Sequence, residues 1–218
     1  MKNFGLIFDM DGVIIDNHHY HFLAWKKMCE KYGKPLDSDS YREHMNGRTL
    51  NEVVEFIFNE PLEKSRVREI GLEKEKIYRE LYQPYIKPTP GLLQFLDAAE
   101  KEGVPMVVGT SAPVENVIFT MNGIGIRHYF VDILDERAVT KGKPNPEIYL
   151  KCAKRIHLPN DRCIVLEDAV SGIKAGKAAG SRVIALATSH SRKELEADLV
   201  IDDFKGLSMK LIFDMIGN

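Results

Sequence analysis

Short apolar runs and amphipathic helical stretches take turns along most of this 218-residue chain, and that alternation constrains the fold more than any other feature. "PGLLQFLDAAEKEG" reads as helix, "VPMVVGT" as strand, "PVENVIFTMNGI" as helix, "FVDILD" as strand, "NPEIYLKCAKRIH" as helix and "RCIVLED" as strand. The helix "VSGIKAGKAAG", the strand "RVIAL" and the short apolar run "ADLVI" continue the series, and Phe4, Leu6, Ile7 and Phe8 supply an earlier strand. Strands that are apolar throughout are covered on both faces, and helices between them describe a parallel sheet. The expected fold class is α/β, a doubly wound Rossmann-like parallel sheet whose ligand crevice lies beyond the carboxyl ends of its strands.

Three helical patterns without an intervening strand interrupt the series. "NHHYHFLAWKKMCEKYG" places Phe22, Trp25, Met28, Cys29 and Tyr32 at helical spacing with Gly33 as its stop; "TLNEVVEFIF" is a second helix, and "LEKSRVREIGLEKEKIYRELY" a third with a break at Gly71. Joints fall in the turn after Asp11 and in "QPYIKPTPG", where three prolines stop helical patterning. These positions predict a core domain from residues 1–14 and 87–218 and a small all-helical cap from residues 15–86.

Composition excludes more than it identifies. A formal net charge of -2 gives no electrostatic footprint for nucleic acid or an anionic membrane, so an anion site has to be local and a small metabolite is the expected partner. Cys29, Cys152 and Cys163 are widely spaced and odd in number, which argues against a disulfide framework or a zinc site and for a reducing, cytoplasmic setting. No apolar stretch approaches the roughly 20 residues that span a bilayer. The expected form is a monomer.

Chemistry concentrates at the strand exits. In "FDMDGVIID", Asp9 and Asp11 are two apart at the end of an apolar strand, so both can point toward the crevice, and Gly12 lets the chain turn close to a ligand. "RCIVLED" brings a second acidic pair, Glu167 and Asp168, to the same edge. Carboxylates gathered there need a cation, and oxygen donors without His or Cys select a hard one such as Mg2+. Thr110, Ser111 and Ala112 lead from a strand into a helix amino terminus, where a hydroxyl and backbone N–H groups can cradle an anion or simply cap the helix. Lys143, in the proline-rich loop "KGKPNPEIY", can present an ammonium to a phosphate or remain a solvated loop charge.

Taken in order, "DMDGVIID", "VVGTSA", "KGKPNPEIY" and "VLEDAVSGIKAGKAAG" resemble the haloacid dehalogenase superfamily, most closely its beta-phosphoglucomutase-like phosphohydrolases, over essentially the whole chain. The resemblance implies Asp9 as nucleophile, Asp11 as general acid and base, Thr110 and Lys143 as phosphate partners, and Glu167 and Asp168 as metal-binding acids. It adds the Asp11 backbone carbonyl as a further metal ligand. An acid at position 11 favours phosphate chemistry over dehalogenation, because halide needs no proton on leaving.

The cap carries the substrate question. His21 and Trp25 match cap positions typical of the phosphoglucomutase-like group, although a lone helical His or Trp commonly packs, and Lys74 matches a basic cap position. "MNGRTLNEV", with Gly47 and Arg48, resembles the second cap loop, but Leu50 stands where a mutase usually carries the arginine for a distal phosphate. Hydrolysis of a small phosphorylated metabolite, such as a sugar phosphate, is therefore the leading expectation. The alternatives are a beta-phosphoglucomutase, an inorganic pyrophosphatase and a non-catalytic binding scaffold.

Overall fold

A computed structural model describes residues 2–45 and 48–217. The chain divides into two compact units, Met1–Asp16 with Ile86–Asn218, and Asn17–Tyr85.

The first unit is built on six parallel strands: β1 (Gly5–Phe8), β2 (Met106–Gly109), β3 (Asp132–Leu134), β4 (Cys163–Glu167), β5 (Arg182–Leu186) and β6 (Leu199–Ile201). Their order is β3-β2-β1-β4-β5-β6. This is the doubly wound α/β class, with winding that reverses on either side of β1. Helices α5 (Leu92–Lys101), α6 (Val114–Ile124), α7 (Glu147–Arg155) and α8 (Val170–Ala178) alternate with the strands, and α9 (Met209–Gly217) closes the chain. Sequence periodicity did not register α9.

Strands β1, β2 and β4 are buried at every position, which is why each reads as an unbroken apolar run. Side chains nonetheless alternate between the two faces. Ile7 joins Val107, Val165, Val183 and the α7 residues Ile148, Tyr149 and Cys152 in one apolar cluster. Phe8 instead meets Phe95, Phe130 and Phe204, with ring centroids 6.4, 5.6 and 6.3 Å away. Full burial of a side chain this size contributes about 1.5–3 kcal/mol.

Register sets the site. Phe8 pairs with Val108 on one side and Leu166 on the other, so the next residue, Asp9, lies level with Gly109 and Glu167. The ladder runs one step past the strands, with Asp9 N–H donating to Leu166 O at 2.9 Å and Thr110 N–H to Leu134 O at 2.9 Å.

The second unit holds α1 (His18–Lys31), α2 (Ser38–His44), α3 (Leu50–Phe58) and α4 (Lys64–Tyr82). Trp25, Met28, Cys29, Val53, Val54, Ile57, Val67 and Ile70 form its apolar core. A reciprocal capping box of Thr49 and Glu52 starts α3. Two expectations need correction. Helix α2 was not expected, because it buries no residue and carries no apolar stripe; its start is fixed by Asp37, whose side chain accepts from Ser40 N–H at 2.8 Å. Gly71 does not break α4, which runs unbroken through it. A β-carbon there would meet the Leu50 side chain, so the glycine serves close packing. Among the described residues, no helix is long and apolar enough to cross a membrane.

Candidate active site

Asp9 leaves β1 just past Phe8, and Gly12, at a φ of 74°, turns the chain back so that its N–H donates to Ile15 O at 2.7 Å. Few residues other than glycine tolerate that left-handed conformation. Asp9, Glu167 and Asp168 are all buried, and each can offer a carboxylate oxygen within 4.8 Å of the others. Lys143 enters this group from the loop ahead of α7. Its Nζ donates to Asp9 Oδ1 at 2.7 Å and to Glu167 Oε1 at 2.7 Å, with Gly109 O 3.5 Å away.

The electrostatics follow from crowding like charges out of water. Burial holds the Asp9 carboxyl well above the usual carboxylate range; Lys143 opposes that shift, while the charges of Glu167, Asp168 and Asp11 add to it. For Lys143, burial alone would lower the pKa, but Asp9 and Glu167 overcome it and hold the ammonium above its ordinary value. One ammonium against these carboxylates leaves negative charge in excess. An all-oxygen, buried and over-charged donor set fits a hard divalent cation.

Glu167, expected among the metal-binding acids, is also heavily bonded within the protein. Its Oε1 accepts from Lys143 and from Tyr149 Oη–H, both at 2.7 Å, and its Oε2 accepts from the N–H groups of Asp168 and Ala169 at 2.8 and 2.9 Å. The loop after β5 ties the two acid-bearing exits in place. Thr188 Oγ1 donates to Gly12 O at 2.7 Å and Ser189 Oγ to Asp168 O at 2.9 Å. Sequence reasoning assigned no role to Tyr149, Thr188 or Ser189, although Tyr149 closes the segment "KGKPNPEIY".

Thr110 is buried, and its Oγ1 accepts from Ala112 N–H at 3.0 Å. The threonine proton stays available for a phosphate oxygen, while the Ala112 amide is used inside the turn. Ala112 is buried beside Thr110, and Ser111, between them, is exposed.

The candidate residues of the helical unit have different surroundings. His21 Nδ1 lies 2.7 Å from Lys74 Nζ, and its ring stacks on Tyr78 with centroids 4.0 Å apart. Lys74 also donates to Glu75 Oε1 at 2.8 Å. Trp25 belongs to the apolar core of its unit, with Lys74 Nζ 5.5 Å from its ring centroid. Arg48, just ahead of α3, is exposed, with its guanidinium 3.8 Å from the Glu52 carboxylate in the first turn of that helix. Gly47 lies outside the described residues.

The haloacid dehalogenase-like hydrolase family matches residues 6–186, from β1 through β5. The chain belongs to this family. A phosphorylated carbohydrates phosphatase of Thermotoga maritima is 32% identical over 181 residues, covering 80% of this chain and 81% of that protein. A beta-phosphoglucomutase of Bacillus subtilis is 30% identical over 216 residues, 96% of this chain and 93% of that one. The crystal structure of a family IA, variant 3 hydrolase of the same superfamily from Entamoeba histolytica superposes with a TM-score of 0.93 at 29% identity, covering 98% of this chain and 99% of that one. The chain is thus a haloacid dehalogenase-like enzyme with an α/β Rossmann-like core, similar to both phosphatases and mutases.

Proposed function

We propose that this enzyme hydrolyses the phosphate monoester of a small carbohydrate, with a divalent cation, Mg2+ by the donor chemistry, as cofactor. The observation that carries the reading is Lys143 bonded at once to Asp9 and Glu167 inside a buried carboxylate cluster at the strand exits. Lys143 and Thr110 can attract phosphate oxygens beside Asp9, the acid that would attack. Carboxylates of Asp9, Glu167 and Asp168, with the Asp11 backbone carbonyl, would hold the cation, which would supply positive charge against the repulsion between carboxylate and phosphate. Glu167 belongs to the same cluster and adds its negative charge there.

In the reaction, Lys143 and the Thr110 hydroxyl bind phosphate oxygens and orient phosphorus for in-line attack. An Asp9 oxygen forms the new bond to phosphorus as the ester P–O bond breaks, leaving an aspartyl-phosphate. Asp11 gives its proton to the departing alkoxide oxygen, then takes a proton from the water that attacks the phosphorus. Inorganic phosphate leaves and Asp9 is restored.

Hydrolysis is favoured over mutase chemistry by the second cap loop. Leu50 holds no phosphate, and Arg48 is paired with Glu52. The test is incubation with Mg2+ and a panel of sugar phosphates. Steady release of inorganic phosphate is expected. Rapid conversion of beta-glucose 1-phosphate to glucose 6-phosphate, dependent on a trace of the 1,6-bisphosphate, would overturn it in favour of the mutase. No turnover of any ester would reject both.

A further inference from the structure

Tyr149 sits in the first turn of α7, six residues after Lys143, so one short segment supplies both side chains. It is fully buried among Ile7, Val107, Cys152 and Val165, surroundings in which a phenylalanine would pack as well. A buried phenol needs a partner, and this one donates to Glu167 Oε1 at 2.7 Å. The same ring lies under the lysine, with Lys143 Nζ 4.9 Å from its centroid. Tyr149 therefore meets the Lys143–Glu167 pair twice, through its hydroxyl and through its face.

We propose that Tyr149 is a positioning residue of the phosphoryl-transfer site, fixing Glu167 so that Lys143 is held toward Asp9 and the phosphate that Asp9 attacks. The inference rests on the phosphatase reading above. Two backbone N–H groups secure Glu167 Oε2, but Oε1 is shared between the tyrosine hydroxyl and the lysine alone. Without the hydroxyl, the full acceptor strength of Oε1 falls on Lys143. The ammonium, on a flexible four-carbon stem, is then drawn toward Glu167 and away from Asp9. Thermal stability should change little, because the ring still fills its place.

The test compares wild type with Tyr149→Phe and Tyr149→Leu in the full chain with Mg2+. A hydrogen bond to a charged group corresponds to a change of about tenfold or more, so Tyr149→Phe should lower kcat/KM by that factor. Its affinity for inorganic phosphate, read by calorimetry, should fall several-fold while Tm stays close to wild type. Tyr149→Leu, which also removes the ring face, should lose more. A crystal structure of Tyr149→Phe should show Lys143 Nζ displaced from Asp9 Oδ1.

Wild-type phosphate affinity and an unmoved Lys143 in Tyr149→Phe would overturn the inference. So would losses in Tyr149→Phe that merely track a fall in Tm. Should the wild type hydrolyse no ester, the phosphatase reading fails by itself, and the position of Lys143 in the variant crystal still decides whether Tyr149 holds it.

Discussion

Lys143 and Asp9 are 134 residues apart in the chain, yet the lysine Nζ lies 2.7 Å from the aspartate Oδ1, both side chains nearly withdrawn from solvent. The two partners answer differently to removal. Asp9→Asn takes away a negative charge from a site that already disfavours it, so the metal-free protein should keep or slightly raise its Tm. Turnover should fall by at least about a thousandfold, since an amide is a poor nucleophile. Lys143→Met strips the carboxylates of their ammonium and should cost on the order of 3 kcal/mol in denaturant melts without metal, as breaking a buried pair does. Wild-type-like turnover in Asp9→Asn would remove it from the nucleophile's role.

Gly172 should tolerate no side chain. It lies inside α8, where alanine ordinarily gains about 1 kcal/mol over glycine. Here a β-carbon would run into the Glu167 carboxyl, which is pinned by four donors. Gly172→Ala should therefore invert the usual sign, destabilising by about 1–3 kcal/mol and lowering activity by displacing Glu167. Circular dichroism melts and an ester assay check both effects.

The His21 imidazole gives the helical unit a pH dependence. Burial, then the neighbouring Lys74 and His18, lower its pKa well below the ordinary 6.5. The folded form thus refuses a proton that the unfolded chain accepts as pH falls through 6.5. Stability from the neutral ring is complete above that pH and is lost progressively below it, toward the lowered folded value. Tm should drop between pH 7 and pH 5, and His21→Gln should flatten the slope across that window.

Cation binding should be visible without substrate. Adding Mg2+ to chelator-treated protein at about 100 times its Kd stabilises by about 2.7 kcal/mol. For a chain of this size that raises Tm by several degrees, at about 2–4 °C per kcal/mol. Asp168→Asn should abolish most of the shift. An unchanged shift in that variant would place the ion elsewhere.

The α/β core was legible because burial on both faces writes itself as uninterrupted apolar runs, as in "GLIF" and "CIVLE". The acids stood out because they recur at strand exits together with a hydroxyl and a lysine; either pair alone would also suit an ordinary turn or helix start. What the sequence concealed lies in pairings across the chain. Nothing in "PEIY" marks the Tyr149 hydroxyl as a partner for Glu167, 18 residues on. Thr188 reaches Gly12 across 176 residues, with no local periodicity to announce it. Helix α2 was hidden for a different reason: held by a cap and burying nothing, it carries no hydrophobic stripe.

Strand β1, which carries Asp9, finds its two sheet neighbours only in Met106–Gly109 and Cys163–Glu167. During synthesis the leading strand must wait, exposed, until the ribosome has delivered most of the polypeptide, whereas every residue of Asn17–Tyr85 has emerged long before. A chain that stops ahead of Cys163 lacks one of the two strands that flank β1 and should therefore hydrolyse no ester.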